Sequence, residues 1–547
     1  MRSIARLGAG LASLSLVATG TALAVTPADA ATHDPIGLEQ GATWLSGQVS
    51  NGFVPSSFGG PDYGLSIDTA FALRAAGGHD STVTAIGDAL VSRGTGYLEY
   101  SYDQDTDTIT GRSANATGKA MALLQTLNAG TTIGTINVQQ RLESLIADDA
   151  PIAGRLTDAY AKNGTSQPPV QGTTDFANTI GQAFAAYALD EAGSPKADDV
   201  RDFLLEQQCP GGGFRLSFTP SRTDSAQSCT DAADADVDTT AIVLRQLNQT
   251  SGAGISDART AARGYLLAQQ KSDGSWGGGS GTEDSNANST GLAATALGDA
   301  TPELLAVEKA AGWLRARQAT YYDVCDRLGG QRGAIAYDQA ALEKGRSEGL
   351  ASAGTDQYRR ATAQALPALA YLPVDTTPAA PKLSGPTGYL KAGAHPVLTV
   401  TGVSAGDQLC LNGVSTLDQF TASGPSVQRT ITLPGGTHTR VYNVRDAAGH
   451  LGSTSLKVLG PKTLTVSRTP SPVKRSRTIT VAARGLAPNE AARIFYGSRL
   501  VRSGEASASG NLVARFSSGT SVGTKSIRAY GRFSDIRKGA TSVKVVR

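Results

Sequence analysis

The sequence is poor in aromatic residues, methionine and histidine, and it has no long apolar run after Val25. Aromatic side chains make up 6% of the 547 residues, and there are two Met, three Trp and five His. A helix needs about 20 mostly apolar residues to cross a bilayer, so we expect no membrane-spanning segment beyond Val25. The scarcity of rings also argues against a cavity that stabilises carbocations or stacks on sugars.

The first 30 residues have the three parts of a secretory signal peptide. Arg2 and Arg6 form a basic start, and an apolar stretch runs from Leu7 to Val25. Ala28-Asp29-Ala30 then supplies small residues around a cleavage site. A membrane anchor is the alternative, but Gly, Ser and Thr dilute the apolar stretch. We predict a signal peptide at 1–30 and a chain that is secreted, extracellular or associated with a cell wall.

Four cysteines are present, and an exported chain meets an oxidising space in which they can pair. Cys209 and Cys229 flank a single loop that contains Gly, Ser and Pro, so we predict a disulfide between them. Cys325 and Cys410 fall in different predicted domains. They either bridge those domains or stay as buried thiols, and both alternatives remain open at this point.

The net charge is +2, but the charge is unevenly distributed. Residues 462–547 contain seventeen Lys and Arg against three acids, Glu490, Glu505 and Asp535. Such a basic segment on an exported protein indicates an anionic partner, for example a wall polymer. The alternative is an Arg-rich sheet surface that is simply solvated. We expect no nucleic-acid partner.

A repeated pattern runs from about Ile36 to Pro373. In the clearest copies a helix ends near a Gln, a Gly-rich loop with an aromatic residue follows, and a polar residue then opens a helix rich in Ala and Leu; the second and third copies are degenerate. We expect N-caps where these second helices begin, because Asp and Asn accept hydrogen bonds from unpaired backbone N–H groups. The expected N-cap residues are Asp68, Asn115, Asn178, Asp238, Asn288 and Arg360. Small-residue helices inside and amphipathic helices outside predict an all-α, α6/α6 toroid at 31–373; an open solenoid is the alternative.

The segment Gln270–Gly277, with the sequence QKSDGSWG, resembles the Q-x-x-D-G-S-W signature of the prenyltransferase/squalene-oxidase (terpenoid cyclase) repeat family. Residues 207–214 form a weaker copy. The resemblance implies the toroid fold, with Trp276 plugging the gap between neighbouring helix pairs. It also implies three functions that can be checked on particular residues.

Two of these functions are enzymatic. The run Asp236-Val237-Asp238-Thr239 resembles the D-x-D-D-T-A motif of terpene cyclases, which implies Asp238 as general acid and Asp236 as its helper, although Thr239 replaces an Asp. Asp323-Val324-Cys325 resembles the zinc ligand pair of prenyltransferases, but no His follows it within 31–373. A glycosidase with Asp68 and Asp238 as paired carboxyls is a further alternative.

The third function is non-catalytic binding of a small molecule or protein in the concave centre, and we favour it. The expected binding residues are Asp68, Trp276, Tyr337, Asp338 and Arg360. Arg360 is the one cation among the expected caps, which suits an anionic ligand; pairing with a neighbouring Asp is its alternative role. No residue pattern indicates a cofactor or a metal.

The remainder of the chain shows short alternating strands separated by turns. Residues 374–386 are rich in Pro, Thr and Ala and predict a linker. Residues 387–461 and the basic segment 462–547 predict two all-β, Ig-like domains. Modules of this kind commonly space or anchor a working domain, so a structural, wall-associated protein is a further alternative.

Overall fold

The computed structural model describes residues 33–279, 281–298, 303–374, 380–413 and 416–547. The predicted signal peptide, residues 1–30, lies outside the described part. The described chain forms three separate hydrophobic cores, one between Ala42 and Leu369, one between Leu383 and Val458, and one between Leu464 and Val545. None of the described helices is long and apolar enough to cross a membrane.

Helices dominate the first core. Their bounds are α1 Ile36–Ser46, α2 Tyr63–Ala76, α3 Asp80–Arg93, α4 Thr95–Leu98, α5 Ala114–Leu127, α6 Val138–Glu143, α7 Thr179–Glu191, α8 Ala197–Glu206, α9 Val237–Leu247, α10 Ile255–Gln269, α11 Ala287–Gly298, α12 Leu304–Arg315, α13 Gln339–Glu348, α14 Leu350–Ala353 and α15 Thr355–Ala365. A 3₁₀ segment, Leu366–Tyr371, follows α15.

The loops between these helices contain short strands. The sequence predicts an all-α region, so this prediction is wrong for the loops. The strands are β1 Val54–Pro55, β2 Pro61–Asp62, β3 Glu99–Gln104, β4 Asp107–Arg112, β5 Thr132–Ile133, β6 Ile136–Asn137, β7 Ala159–Lys162, β8 Thr165–Gln167, β9 Phe214–Arg215 and β10 Ala235–Asp236. Four of them form an antiparallel sheet in the order β3-β4-β7-β8, beside the start of α5. They arise because the loops are long enough to pair their own backbone groups.

Six helices form a closed cycle in which each contacts the next. The order is α2, α5, α7, α9, α11 and α15, and α15 contacts α2 again. We call these six the central helices. Small residues permit the close packing: a Cβ on Gly291 of α11 would lie 2.3 Å from the Cα of Ala365 in α15. A Cβ on Gly118 of α5 would lie 3.1 Å from the carbonyl oxygen of Gly181 in α7.

A second set of helices, α1, α3, α6, α8, α10 and α12, packs against the central helices. Helix α8 shows why these helices form a covering layer. Its Val200, Phe203 and Leu204 are buried, while Asp198 and Asp202 hold their carboxylates in solvent. One apolar stripe on an otherwise charged helix is the pattern of an element that covers a core on one side only.

The beginning and the end of the helical region are joined directly. The Gln318 side chain donates from Nε2 to the Gly37 carbonyl over 2.8 Å. The Trp44 Nε1–H donates to Gln331 over 2.9 Å, and the Arg359 Nε–H donates to Gln48 over 3.0 Å. These contacts connect α1 and its following turn to the last helix pair, nearly three hundred residues later in the chain.

Both pairs of cysteines form disulfides. Cys209 is bonded to Cys229, which confirms the predicted pairing within one loop. Cys325 is bonded to Cys410, so the open question about this pair resolves in favour of a bridge between the helical region and the first β unit. Gln419 of that unit also donates to the Tyr322 carbonyl over 3.1 Å, beside the bridge.

The region after the linker is all-β, as predicted. Its first unit contains β11 Lys382–Ser384, β12 Tyr389–Lys391, β13 Val397–Thr401, β14 Gln408–Gly413, β15 Thr416–Thr421, β16 Ser426–Thr430, β17 His438–Asp446 and β18 Leu451–Leu459. Two sheets, β11-β13-β16 and β12-β18-β17-β14-β15, enclose the second core. Because Leu383 of β11 is buried in that core, residues 382–384 belong to the unit, which corrects the predicted linker of 374–386.

The second β unit has the same two-sheet arrangement. Its strands are β19 Lys462–Thr463, β20 Thr465–Thr469, β21 Val473–Lys474, β22 Thr478–Arg484, β23 Ala491–Tyr496, β24 Arg499–Glu505, β25 Asn511–Ser517, β26 Gly523–Tyr530 and β27 Arg537–Val546. One sheet has the order β20-β22-β25, and the other has the order β19-β27-β26-β23-β24 with β21 also paired to β27. Alternation of buried and exposed residues along β22 and β27 places one side of each sheet on the third core.

Candidate functional site

The caps of the central helices lie elsewhere than expected. Each true cap accepts a hydrogen bond from the backbone N–H three residues later. These caps are Asp62, Ser113, Asn178, Asp236 and Asn286. Of the six expected caps only Asn178 is correct; Asn115, Asp238 and Asn288 are the second residues of their helices, and Asp68 and Arg360 are the sixth.

A second polar position, four residues after the cap, connects each loop to its helix. The backbone N–H of Phe214 donates to the Thr240 hydroxyl over 2.8 Å. The N–H of Trp276 donates to Thr290 over 3.0 Å in the next repeat. This hydroxyl satisfies a buried backbone donor, so it fixes the loop that precedes each central helix against that helix's first turn.

The N-terminal ends of the central helices gather at one end, which we call the rim. The backbone N–H of Asn178, which caps α7, donates to the side chain of Asn115 in the first turn of α5 over 3.1 Å. Asp62, the cap of α2, forms an ion pair with Arg360 of α15. Neighbouring central helices therefore run parallel, and their positive dipole ends point the same way.

Arg360 is not a free cation at the rim. Besides Asp62 it pairs with Asp356 one turn earlier in α15, at 2.9 Å. Its charge is shared between two carboxylates, which also favour the charged form and raise its pKa against the opposing effect of burial. Of the two roles expected for Arg360, the structure shows the pairing with neighbouring Asp residues rather than a free cation for an anionic ligand, and the side chain links α15 to α2.

Below the rim, half-buried side chains recur at intervals of three and four residues along the central helices. Asp68 lies one turn inside, where it forms an ion pair with Lys119 of α5 at 2.7 Å. The Lys119 ammonium is 5.9 Å from the centre of the Phe184 ring, and Phe184 stacks on Phe71. Asp68 is therefore neutralised within a packed layer. It was expected at the start of α2, among the rim residues, but it lies one turn further along the helix.

Asp238 is the most unusual group at the rim. It neither caps its helix nor forms an ion pair. Its Oδ1 is buried and has no hydrogen-bond partner among the described residues. A Cβ on Gly278 would lie 2.8 Å from its Oδ2 and 3.0 Å from the Ser289 hydroxyl oxygen, so the preceding glycine loop closes tightly over both groups.

The surroundings of Asp238 favour its neutral form. Burial raises the pKa of the Asp238 carboxyl to about 6, the neighbouring Ser289 hydroxyl lowers it, and the charge of Asp236 raises it further. Asp236 itself accepts the Thr239 N–H over 2.6 Å as the cap of α9. The sequence places two Asp residues together, and the structure gives them different roles: Asp236 caps the helix, while Asp238 lies beside the Ser289 hydroxyl and keeps one oxygen, Oδ1, without a partner among the described residues.

Tyr337 and Asp338 approach the same end of the helices. The Tyr337 carbonyl accepts the N–H of Ala287 at the start of α11 over 2.7 Å. Burial raises the pKa of the Tyr337 hydroxyl, and the charges of Asp238 and Asp338 add to this effect. Asp338 caps α13 through the N–H of Ala341, so its carboxylate is partly committed to that helix.

Trp276 cannot contact a ligand. Its side chain is fully buried, and its Nε1–H donates to the Leu266 carbonyl of α10 over 2.7 Å. This corrects the expectation that Trp276 is a binding residue, because no part of the indole is accessible.

The residues of the two remaining enzymatic hypotheses are already engaged. Asp323 is fully buried and accepts the Thr320 N–H and the Arg346 guanidinium, while Cys325 is in a disulfide and offers no thiolate for zinc. Within the described ranges, no group of three or more His, Cys, Asp or Glu is arranged to hold a metal ion. Asp68, one of the two carboxyls of the glycosidase alternative, forms an ion pair with Lys119.

Replacing Asp238 with Asn is expected to stabilise the helical region at neutral pH. The folded pKa is above the ordinary value of 3.8, so the native state loses stability as the pH rises from about 4 to about 6, where the buried carboxyl ionises. Asn cannot ionise, so the variant and the natural protein should be equally stable near pH 4 and differ by up to about 3 kcal/mol above pH 7. All three Trp residues lie between residues 44 and 313, so urea unfolding followed by Trp fluorescence reports on this region.

Asp88 on the outer helix α3 is exposed, and Asp88→Asn is the matched control. A difference between Asp238→Asn and the natural protein that does not change between pH 4 and pH 8 would show that the carboxyl does not titrate as a buried group.

Comparisons with known proteins give partial structural matches and no sequence match. No family model and no curated protein matches this sequence. Among solved structures, the chain is similar to the human OSCAR ligand-binding domain (12% identity, 30% of this chain and 97% of that one, TM-score 0.22). It is also similar to fibronectin(III)-like modules of Clostridium thermocellum CbhA (14% identity, 30% and 92%, TM-score 0.19). The Yersinia pseudotuberculosis adhesin InvE gives 17% identity, coverage of 30% and 59%, and a TM-score of 0.17.

Proposed function

We propose that residues 33–373 form an α6/α6 toroid of the prenyltransferase/squalene-oxidase repeat type. Three observations support this architecture: the closed cycle of contacts among six parallel central helices, the covering layer of outer helices, and the direct contacts between α1 and the last helix pair. An open solenoid leaves its first and last repeats apart, whereas here Asp62 of the first pair meets Arg360 of the last.

We further propose that this domain binds a ligand at the rim without catalysing a reaction. The observation that carries the proposal is Asp238, a partly exposed side chain at the rim whose Oδ1 has no hydrogen-bond partner in the described part of the chain. A buried polar atom without a partner costs about 1–3 kcal/mol. A ligand that brings a hydrogen-bond donor to this oxygen recovers that energy, and an amine would also form an ion pair with the carboxylate, which is ionised above about pH 6.

The ligand chemistry follows from the other groups at the rim. The Asp356 Oδ1 and Asn288 Oδ1 atoms are likewise buried without a partner among the described residues, and both are acceptors. The complementary molecule therefore carries several N–H or O–H donors. Phe58 and Phe176, 99% and 55% exposed, lie in the loops that lead to α2 and α7 and offer apolar surface to a larger partner.

Export and wall attachment complete the proposed role. Two disulfides are compatible with an extracellular location, and a signal peptide at 1–30 would account for it. The basic second β unit would then hold the protein on an anionic polymer outside the cell. In this arrangement the toroid is the binding domain and the β units space it from its anchor.

The rim proposal is tested by mass spectrometry of small molecules that co-purify with the full chain. We expect the natural protein and Asp88→Asn to carry the same donor-rich compound, and Asp238→Asn to carry at least tenfold less of it. An identical set of bound compounds in all three proteins, or none in any of them, would contradict the proposal.

A terpene-cyclase-like activity is the second candidate, because the raised pKa of Asp238 suits a general acid. Asp238 would protonate an alkene, and the final carbocation would return a proton, so the reaction is an isomerisation. Incubation of the full chain with a linear isoprenoid, followed by gas chromatography, separates the candidates: a cyclic product that disappears in Asp238→Asn supports the enzyme over the binding protein.

A further inference from the structure

Cations and aromatic rings alternate on the outer face of one sheet in the second β unit. Arg493 of β23 lies opposite Tyr530 of β26, and Tyr530 lies opposite Lys538 of β27. Two residues along, Phe495 lies opposite Arg528. Since buried Ile494 and Ala529 occupy the intervening positions, these five side chains all point away from the core.

This face is exposed to solvent. Arg493, Arg528, Lys538 and, further along β27, Lys544 are exposed, and the positions between them are occupied by the small residues Ser526, Ala540 and Ser542. Neighbouring strands are about 4.8 Å apart and alternate residues along a strand about 7 Å apart, so the cations are spread over roughly 20 Å. We call these six residues, Arg493, Phe495, Arg528, Tyr530, Lys538 and Lys544, the cation–aromatic face.

Of the domain's three acids, Glu490 is buried against Arg537, and Asp535 pairs with Lys391 of the preceding unit. The third, Glu505 of the edge strand β24, is exposed opposite Ala491 beside the face, where the four cations outnumber this single carboxylate. Among the described residues, none of the four cations on the face forms an ion pair, although Arg528 also donates to the Gly497 carbonyl over 2.9 Å. An unpaired cluster of this kind is suited to an anion from outside the molecule.

The aromatic rings narrow the class of anion. Phe495 and Tyr530 make edge-to-face contact with their centroids 5.8 Å apart, and both remain half-buried at the surface. Two rings between cations add nothing to the binding of a bare polyanion, whereas ring faces pack against the C–H surfaces of sugars. The two disulfides of the chain are also compatible with an oxidising space, away from cytosolic nucleic acids.

We propose that the cation–aromatic face binds a linear anionic glycan whose sugars contact Tyr530 and Phe495 and whose phosphate groups contact Arg493, Arg528 and Lys538. Arg suits this task because its planar guanidinium can hold phosphate through two hydrogen bonds. This inference rests on the proposed wall attachment and names the surface and the polymer chemistry responsible for it.

The test measures binding of the full chain to four probes at 150 mM salt. The probes are a glycosylated poly(ribitol phosphate), inorganic polyphosphate, a neutral chitooligosaccharide and single-stranded oligo(dT). We expect the glycosylated polymer to bind at least tenfold more tightly than the other three. Arg493→Ala/Lys538→Ala should weaken that binding at least tenfold, and Tyr530→Ala should weaken it for the glycosylated polymer but not for polyphosphate.

Arg484→Ala/Arg515→Ala is the matched control, because it removes the same charge from the opposite sheet, where both residues are exposed. Equal losses in the two double variants would overturn the specific face while leaving anionic attachment intact. Equal or tighter binding of polyphosphate or oligo(dT) would overturn the glycan chemistry. Failure of the full chain to bind any anionic probe would overturn both this inference and the proposed wall attachment.

Discussion

Replacing Arg537 with Ala is expected to destabilise the second β unit by about 3–5 kcal/mol, because it leaves a carboxylate buried without its partner. Glu490 is fully buried, and Arg537 is 2% exposed. The guanidinium donates to both carboxylate oxygens over 2.7 Å, and also to the carbonyls of Gly460 and Gly485 over 3.1 Å. The Arg537 side chain therefore holds the loop at Gly485 and the segment at Gly460 that leads into the unit.

Hydrogen exchange of the full chain measures this effect locally. The slowest amides of β22 and β26 should exchange about 100- to 4,000-fold faster in Arg537→Ala, since each 1.4 kcal/mol corresponds to a factor of about ten. The double variant Glu490→Leu/Arg537→Met should recover much of the loss, because two apolar side chains leave no unpaired charge. Arg515→Ala on the surface serves as control, and less than a tenfold change in Arg537→Ala would show that the buried pair contributes little.

The repeat pattern in the sequence located the central helices but misplaced their caps. The expected cap at Asp238 is two residues late because Asp236-Val237-Asp238 offers two carboxylates, and only backbone geometry decides which one meets the helix N–H groups. A better signal was present: a cap followed four residues later by Ser, Thr or Gln. This pattern occurs at Asp62 and Ser66, Ser113 and Thr117, Asn178 and Gln182, Asp236 and Thr240, and Asn286 and Thr290.

Pairings between distant elements could not be read from local patterns. Arg360 pairs with Asp62 almost three hundred residues earlier, and nothing near either residue indicates the other. The same is true of Cys325 and Cys410, whose bridge depends on how the first β unit lies against the helical region. By contrast, the all-β nature of the last two units followed from alternation within single strands, because that pattern is local.

The glycine loop after Trp276 explains why Asp238 destabilises the folded protein at neutral pH. The glycine loop that closes over Asp238 continues directly from Trp276. Trp276, which packs between α10 and α11, therefore also positions Asp238, the residue proposed to bind the ligand. A buried carboxyl that destabilises the folded state at neutral pH is typical of a site retained for function. The expected gain in stability of Asp238→Asn and its expected loss of ligand are two outcomes of one arrangement.

Replacing Trp276 with Ala is expected to cost the helical region about 3–5 kcal/mol. The indole is fully buried between α10 and α11, and its loss leaves a large cavity together with an unpaired Leu266 carbonyl. The backbone around it is held by Thr290, which accepts the Trp276 N–H over 3.0 Å, so the loop has little freedom to collapse into the space. Urea unfolding followed by circular dichroism at 222 nm is the appropriate measurement, because the helices dominate that signal.

Two further variants separate the causes of this loss. Trp276→Phe keeps most of the apolar volume and removes only the indole N–H, so it should cost clearly less than Trp276→Ala, with about 1 kcal/mol from the hydrogen bond itself. Phe58→Ala removes a ring that is 99% exposed and should change stability by less than about 0.5 kcal/mol. If Trp276→Ala unfolds at the same urea concentration as Phe58→Ala, Trp276 does not join the two helices energetically. A loss of co-purified ligand in Trp276→Phe, with stability nearly retained, would instead show that the indole fixes the loop over Asp238.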